Sequence, residues 1–188
     1  MKKLYNTKTL TIGAMLTAIG IILGFFKIPI NKIIEIRFGS LPIALGGMLF
    51  GPAVAGVIGA LTDIGGYLIK PTGPFFPGFT ISNIFSGIIF GLFLYKKKCS
   101  FVRILMAELV NTLIVGILMN SYWLYIMYFP KDYTANLVLG SHIIEMSGFV
   151  AVIGSRLIKE IVMIPILSVF IYVVIKAREK VGVRKLAV

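Results

Sequence analysis

The sequence predicts an all-α integral membrane protein, a bundle of six transmembrane helices. Three observations carry this. Of 188 residues, 58% are hydrophobic and only 14% are charged, whereas soluble domains carry roughly 25% charged and about 45–50% apolar residues. Mean hydropathy is +0.97. The apolar residues gather into runs that suit a bilayer core, which takes about 20 residues per helix. Such a chain has too little polar surface to cover a water-soluble globule. Disorder is excluded as well, because it needs low hydrophobicity. We read residues 1–188 as a single transmembrane domain, with no room for a separate ATPase, receptor or catalytic domain.

The spans are placed at about 9–27, 40–51, 52–70, 79–96, 102–128 and 148–176. The first follows Lys2, Lys3 and Lys8 and so resembles a signal peptide. No small-x-small cleavage site follows it, and we expect it to stay as a span. The second is short and stops at Gly51-Pro52, where proline suits the first position of a new helix. The segment from Lys70 to Gly78 holds Pro71, Pro74 and Pro77 and reads as a stiff loop. The fourth span runs from Phe79, and the fifth is entered through Arg103. The sixth is interrupted by Arg156, Lys159 and Glu160.

Six spans put both termini on one side. The net charge is +12, with 19 Lys+Arg against 7 Asp+Glu. Twelve of the basic residues fall at the N-terminus, in the loop Lys96–Arg103 and at the C-terminus. This bias places both termini in the cytoplasm of a multi-pass plasma-membrane protein. The basic excess is therefore a topology signal, and no nucleic-acid partner is expected. Cys99 is the single cysteine and cannot form an internal disulfide.

Helices in lipid associate through small residues. Gly20-x-x-x-Gly24, Gly47-x-x-x-Gly51, Gly56-x-x-x-Ala60 and Gly87-x-x-x-Gly91 read mostly as contacts within the monomer. Ala14-x-x-x-Ala18 on the first span reads differently, as a face for a partner, because a short chain without a motor needs one.

Charges inside a bilayer cost about 2.5–3.5 kcal/mol each and need reasons. Asp63 lies roughly 16 Å up the third span at 1.5 Å per residue, with Tyr67 one turn further on the same face. Phe79 and Asn83 lie at the outer end of the fourth span, and Asn120, Tyr122 and Trp123 at that of the fifth. Arg156, Lys159 and Glu160 share one face in the outer part of the sixth. Two readings fit these residues. One is an outward-facing pocket for a flat, polar-edged anion, with Trp123 and Phe79 to stack on it, Asp63 and Asn83 for its edges and Arg156 and Lys159 for its charge. The other is a structural network in which Asp63 or Glu160 neutralises Arg156. Glu108, toward the inside with Asn111, reads as structural.

No G-x-x-x-x-G-K-[ST] is present, so the chain holds no P-loop. His142 is the one histidine, which leaves no metal site and no Ser-His-Asp triad. We expect no enzyme activity and no cofactor.

Phe50-Gly-Pro-Ala-Val-Ala-Gly56 followed by Gly59-Ala-Leu-Thr-Asp63 is similar to the substrate-binding S components of energy-coupling factor (ECF) vitamin transporters. The loop Lys70-Pro-Thr-Gly-Pro-Phe-Phe-Pro-Gly-Phe-Thr80, with Asn120-Ser-Tyr-Trp-Leu124 and Ser155-Arg-Leu-Ile-Lys159, resembles the folate-specific branch of that family. The resemblance spans nearly the whole chain. It implies a six-helix S-component bundle that captures folate outside and delivers it inward by toppling in the membrane. It also implies partners: a transmembrane coupling protein, contacted through Ala14 and Ala18, and two cytoplasmic ATPase subunits that hydrolyse the ATP. Another vitamin of the same class (riboflavin, thiamine or pantothenate) is an alternative. A stand-alone secondary transporter is a second, although such proteins often repeat a broken helix in both halves, and only one Gly-Pro break is present.

Overall fold

The computed structural model describes residues 7–25, 28–29, 35–36, 38–71, 75–97, 100–128, 160–161 and 163–177. Helix α1 spans Thr7–Phe25. Two short strands follow, β1 (Ile28–Pro29) and β2 (Glu35–Ile36), paired antiparallel with Ile28 opposite Ile36. Then come α2 (Ser40–Phe50), α3 (Pro52–Ile69) and α4 (Pro77–Leu94). Helix α5 (Phe101–Asn111) runs on through a π-helical stretch, Thr112–Met119, into α6 (Asn120–Tyr128). Helix α7 covers Met163–Ala177.

Four of these helical segments are long and apolar enough to cross a membrane: Thr7–Phe25, Pro52–Ile69, Pro77–Leu94 and Phe101–Trp123. Two shorter apolar helices, Ser40–Phe50 and Met163–Ala177, accompany them. The expected all-helical membrane character is thus present, with four helices of spanning length among the described residues. Two details differ from expectation. Helix α4 starts at Pro77, two residues before Phe79, because proline already has the backbone angle of a first helical turn and no N–H to leave unpaired. The π-helical stretch in the fifth span was not foreseen, since nothing in its apolar run Thr112–Met119 marks a change of winding.

The turn between α2 and α3 is made at Gly51, whose φ of 92° lies in the region open mainly to glycine. Its N–H bonds back to the Gly47 carbonyl, closing α2, and Pro52 opens α3 at once. Close packing then binds three helices into one slab. A Cβ on Gly47 would sit 2.8 Å from the Gly91 backbone nitrogen. One on Gly91 would collide with the Pro52 backbone, and one on Gly87 with the backbone of Ala55 and Gly56. The small-residue patterns of α2, α3 and α4 are therefore internal contacts, as expected. At Gly24, by contrast, a Cβ would meet nothing within 4 Å.

The core joins Ile43 and Ala44 of α2, Val54 and Ile58 of α3, Phe90 and Leu94 of α4, Ile104 and Ala107 of α5, and Ile171 and Ile175 of α7. Helix α1 turns Gly13, Leu16 and Gly20 inward and leaves Leu10, Met15, Ile19 and Ile22 exposed. Large apolar side chains such as Val57, Leu61, Leu92 and Leu118 also point outward. In water that would be a fault, but in a bilayer it is the lipid-facing surface.

Candidate functional site

The polar residues of the α3 and α4 ends meet on one side of the bundle. Helix α3 climbs away from the Gly51 turn, and α4 descends beside it, so the last turns of α3 face the first turns of α4. Asp63 lies at this contact. Its Oδ2 accepts a hydrogen bond from the Thr80 hydroxyl at 2.6 Å, and its Oδ1 accepts one from Asn83 Nδ2 at 3.0 Å. The same Asn83 amide donates to the Phe79 carbonyl at 3.2 Å. A half-buried carboxylate is thus held by two neutral donors from the neighbouring helix. Gly59, one turn before Asp63, lets this happen: a Cβ there would strike the Asn83 carbonyl.

Aromatic rings flank this network. Trp123 of α6 donates from Nε1 to the buried Ser82 hydroxyl at 3.1 Å. Its ring lies 5.7 Å from that of Phe76, and Phe76 lies 5.9 Å from Phe79 in an edge-to-face arrangement. Tyr122 extends the row, 5.2 Å from Trp123. Gly78 seats the tryptophan, since a Cβ at that position would run into both Phe76 and Trp123. Tyr67 packs on Phe75 at 5.1 Å, which ties the end of α3 to the start of α4. The result is a polar floor beside an aromatic wall, suited to a flat ring with hydrogen-bonding edges.

Of the expected site residues, the structure brings Asp63, Tyr67, Phe79, Asn83 and Trp123 to this one end. Arg156 and Lys159 lie outside the described residues, as do Cys99 and His142. Asp63 is held by Thr80 and Asn83; its expected neutralisation of Arg156 involves a residue outside the described ones. Ala14 and Ala18 are both exposed on α1, on the side away from Gly13, Leu16 and Gly20. Glu108 is 2% exposed, with Asn111 and Thr112 buried beside it at the start of the π-helical stretch. It lies some 15 residues before Trp123, roughly 20 Å along the helix, and takes no part in the cluster.

Sequence reasoning missed Thr80, Ser82 and Phe76. Thr80 carried a readable signal, because it precedes Asn83 by three residues and so shares its helix face. Ser82 carried none, since its role is set by the indole that reaches it from α6. Among the described residues no group of acidic, His or Cys side chains could hold a metal ion.

Comparison with known proteins gives this geometry a family. The family model "ECF transporter, substrate-specific component" matches residues 8–175. The folate transporter FolT of Clostridium novyi is 39% identical over 142 residues, covering 76% of this chain and 73% of its own. FolT of Leuconostoc mesenteroides is 31% identical over 162 residues, covering 86% and 80%. Among solved structures, FolT bound with folic acid superposes with a TM-score of 0.71 at 29% identity, over 89% of this chain and 91% of that one. The S component of a bacterial ECF transporter superposes with a TM-score of 0.61 at 25% identity, over 95% and 98%. The chain therefore belongs to the substrate-specific S components of ECF transporters.

Proposed function

We propose that this chain is the folate-binding S component of an ECF transporter. It captures the vitamin with high affinity outside and delivers it inward when coupled to an ATPase module. The observation that carries the reading is the likeness, over 89% of the chain, to an S component solved with folic acid. The chemistry of the α3–α4–α6 end agrees with it. A pterin is flat with donor and acceptor edges, which the Asp63–Thr80–Asn83 network can meet. Its ring and the aminobenzoate can lie against Phe79, Phe76 and Trp123. We assign the carboxylates of the glutamate tail to Arg156 and Lys159, whose fork and point charge suit them.

The finer architecture belongs to the same proposal. The chain crosses the plasma membrane six times, with α2 as the short second crossing and α7 at the end of the sixth, 148–176, and both termini are cytoplasmic. Lys96, Lys97 and Arg103 then lie inside. The Asp63 cluster, at the far end of α3 and α4, then opens outward. The partners are a transmembrane coupling protein, which we seat on the exposed Ala14–Ala18 face of α1, and two cytoplasmic ATPase subunits that hydrolyse the ATP.

Titration of the purified, detergent-solubilised chain with folate, read by Trp123 fluorescence, tests the reading. Saturable quenching by folate alone is expected. Tight binding of riboflavin, thiamine or pantothenate in place of folate would keep the family and replace the ligand. A folded protein that binds none of them would overturn the proposal.

A further inference from the structure

A second feature lies on the lipid-facing side of α3 and α4, away from the Asp63 cluster. There the two helices leave a groove of about 250 Å³ lined by Pro52, Ala53, Gly56, Ala60, Ile84 and Ile88. The lining is apolar throughout. Small residues of α3 form its floor and the α4 isoleucines form one wall. It is open along its length, and Val57 and Leu61 stand exposed at its other edge.

The groove ends in charge. Ile84 and Ile88 continue along the same face of α4 to Leu92, one turn on, and Lys96 and Lys97 follow directly after the helix ends at Leu94. Lys97 folds back and donates from Nζ to the Leu92 carbonyl at 3.0 Å. The Lys96 ammonium sits 5.5 Å over the Tyr95 ring, and that ring is the neighbour a Cβ on Gly51 would meet, immediately before Pro52. Lys96 has a φ of 54°, so the chain turns in the left-handed region just as it leaves α4. Both lysines are exposed. An apolar groove thus runs along α3 and α4 from Ala60 to Pro52, beside the Gly51–Tyr95 contact where the two exposed lysines leave α4.

We infer that this groove and Lys96–Lys97 form a binding site for one anionic phospholipid, with an acyl chain between α3 and α4 and the headgroup phosphate on the two lysines. The charge selects the occupant. A neutral lipid gains only the groove, and a partner's apolar helix gains nothing from the lysines. Basic groups at a membrane surface favour anionic lipid by amounts that compound, so two of them correspond to a preference of about tenfold or more. The site does not depend on which vitamin the chain carries.

Native mass spectrometry of the full chain from neutral detergent tests this, with dioleoyl phosphatidylglycerol and dioleoyl phosphatidylcholine as competing probes. The wild type should retain one phosphatidylglycerol about tenfold over phosphatidylcholine. K96Q/K97Q should reduce that retention to the phosphatidylcholine level. K70Q, at the opposite end of α3, should leave it unchanged. A53F/A60F should fill the groove and remove the bound lipid, with an unchanged melting transition showing that the fold survives. Equal retention of the two lipids, or full retention of phosphatidylglycerol by K96Q/K97Q, would overturn the inference. So would a folded A53F/A60F that keeps its lipid but loses the coupling protein, because the groove would then be a seat for a protein helix.

Discussion

The Thr80 hydroxyl donates to the Asp63 carboxylate at 2.6 Å across the α3–α4 contact, and this one bond ties the start of a loop-bounded helix to the last turns of its neighbour. Hydrogen bonds to a charged partner are worth about 1.5–3 kcal/mol when well shielded. Both residues are half-buried, so the lower end applies. Thr80→Val should lower stability by about 1.5 kcal/mol. Asp63→Ala should cost more, because it strands the Asn83 amide as well. Melting curves with and without folate check the order, and the loss should be larger in the folate-bound state. If Asp63→Ala melts like the wild type in both states, the network does not hold the two helix ends.

Trp123 offers a cleaner separation of roles. Trp123→Phe keeps a ring against Phe76 but removes the bond to Ser82. Loss of one neutral hydrogen bond of about 1 kcal/mol corresponds to roughly a fivefold change in an equilibrium constant. Trp123→Phe and Ser82→Ala should each weaken folate binding by about that factor, and the double variant should be no worse than either alone. Trp123→Ala should lose far more, since the aromatic wall goes with it. Isothermal calorimetry decides the matter, because additive losses would mean that the indole and the hydroxyl act independently.

The small-residue contacts give a prediction of stability alone. Adding bulk to a closed packing contact costs about 1–3 kcal/mol. Gly91→Val should reduce the yield of monodisperse protein in detergent, because its side chain would meet the Pro52 backbone. Gly24→Ala should be silent, as open space surrounds that position. Size-exclusion profiles of the two variants compare them directly.

Ala14 and Ala18 should separate binding from transport. Both are exposed on α1, remote from the Asp63 cluster. Replacing them with leucine would thicken a face that must approach another helix closely. Folate affinity of the isolated chain should stay as in the wild type, while uptake by cells that also express the coupling protein and ATPases should fall at least several-fold. Undiminished uptake would remove this face from the partner contact.

Much of the fold was legible because a bilayer leaves few choices. Apolar run lengths placed the long helices, and Gly51-Pro52 marked the turn between α2 and α3 through two residues with opposite backbone demands. The patterns at Gly47, Gly56, Gly87 and Gly91 were readable as internal packing for the same reason: lipid gives no hydrophobic drive between helices, so close packing of small residues has to help join them. The site was legible as residue types but not as partnerships. Asp63 announced itself by its cost and Asn83 by its place at the outer end of the fourth span, yet their pairing, and Thr80 with it, depended on how α4 is turned against α3. Ser82 was invisible because its partner comes from 41 residues away. The π-helical stretch left no mark in an evenly apolar segment, and the β1–β2 pair is too short for any periodicity to show.

The backbone contacts of Gly47, Gly87 and Gly91 have a mechanical consequence. Where side chains interlock, rotamers can change and let one helix slide on another. Where backbone meets backbone, no such slack exists. The slab of α2, α3 and α4 has no internal slip plane, so it cannot open a path for cargo by parting along these seams. Any rearrangement of the described helices therefore carries α2, α3 and α4 together as one body.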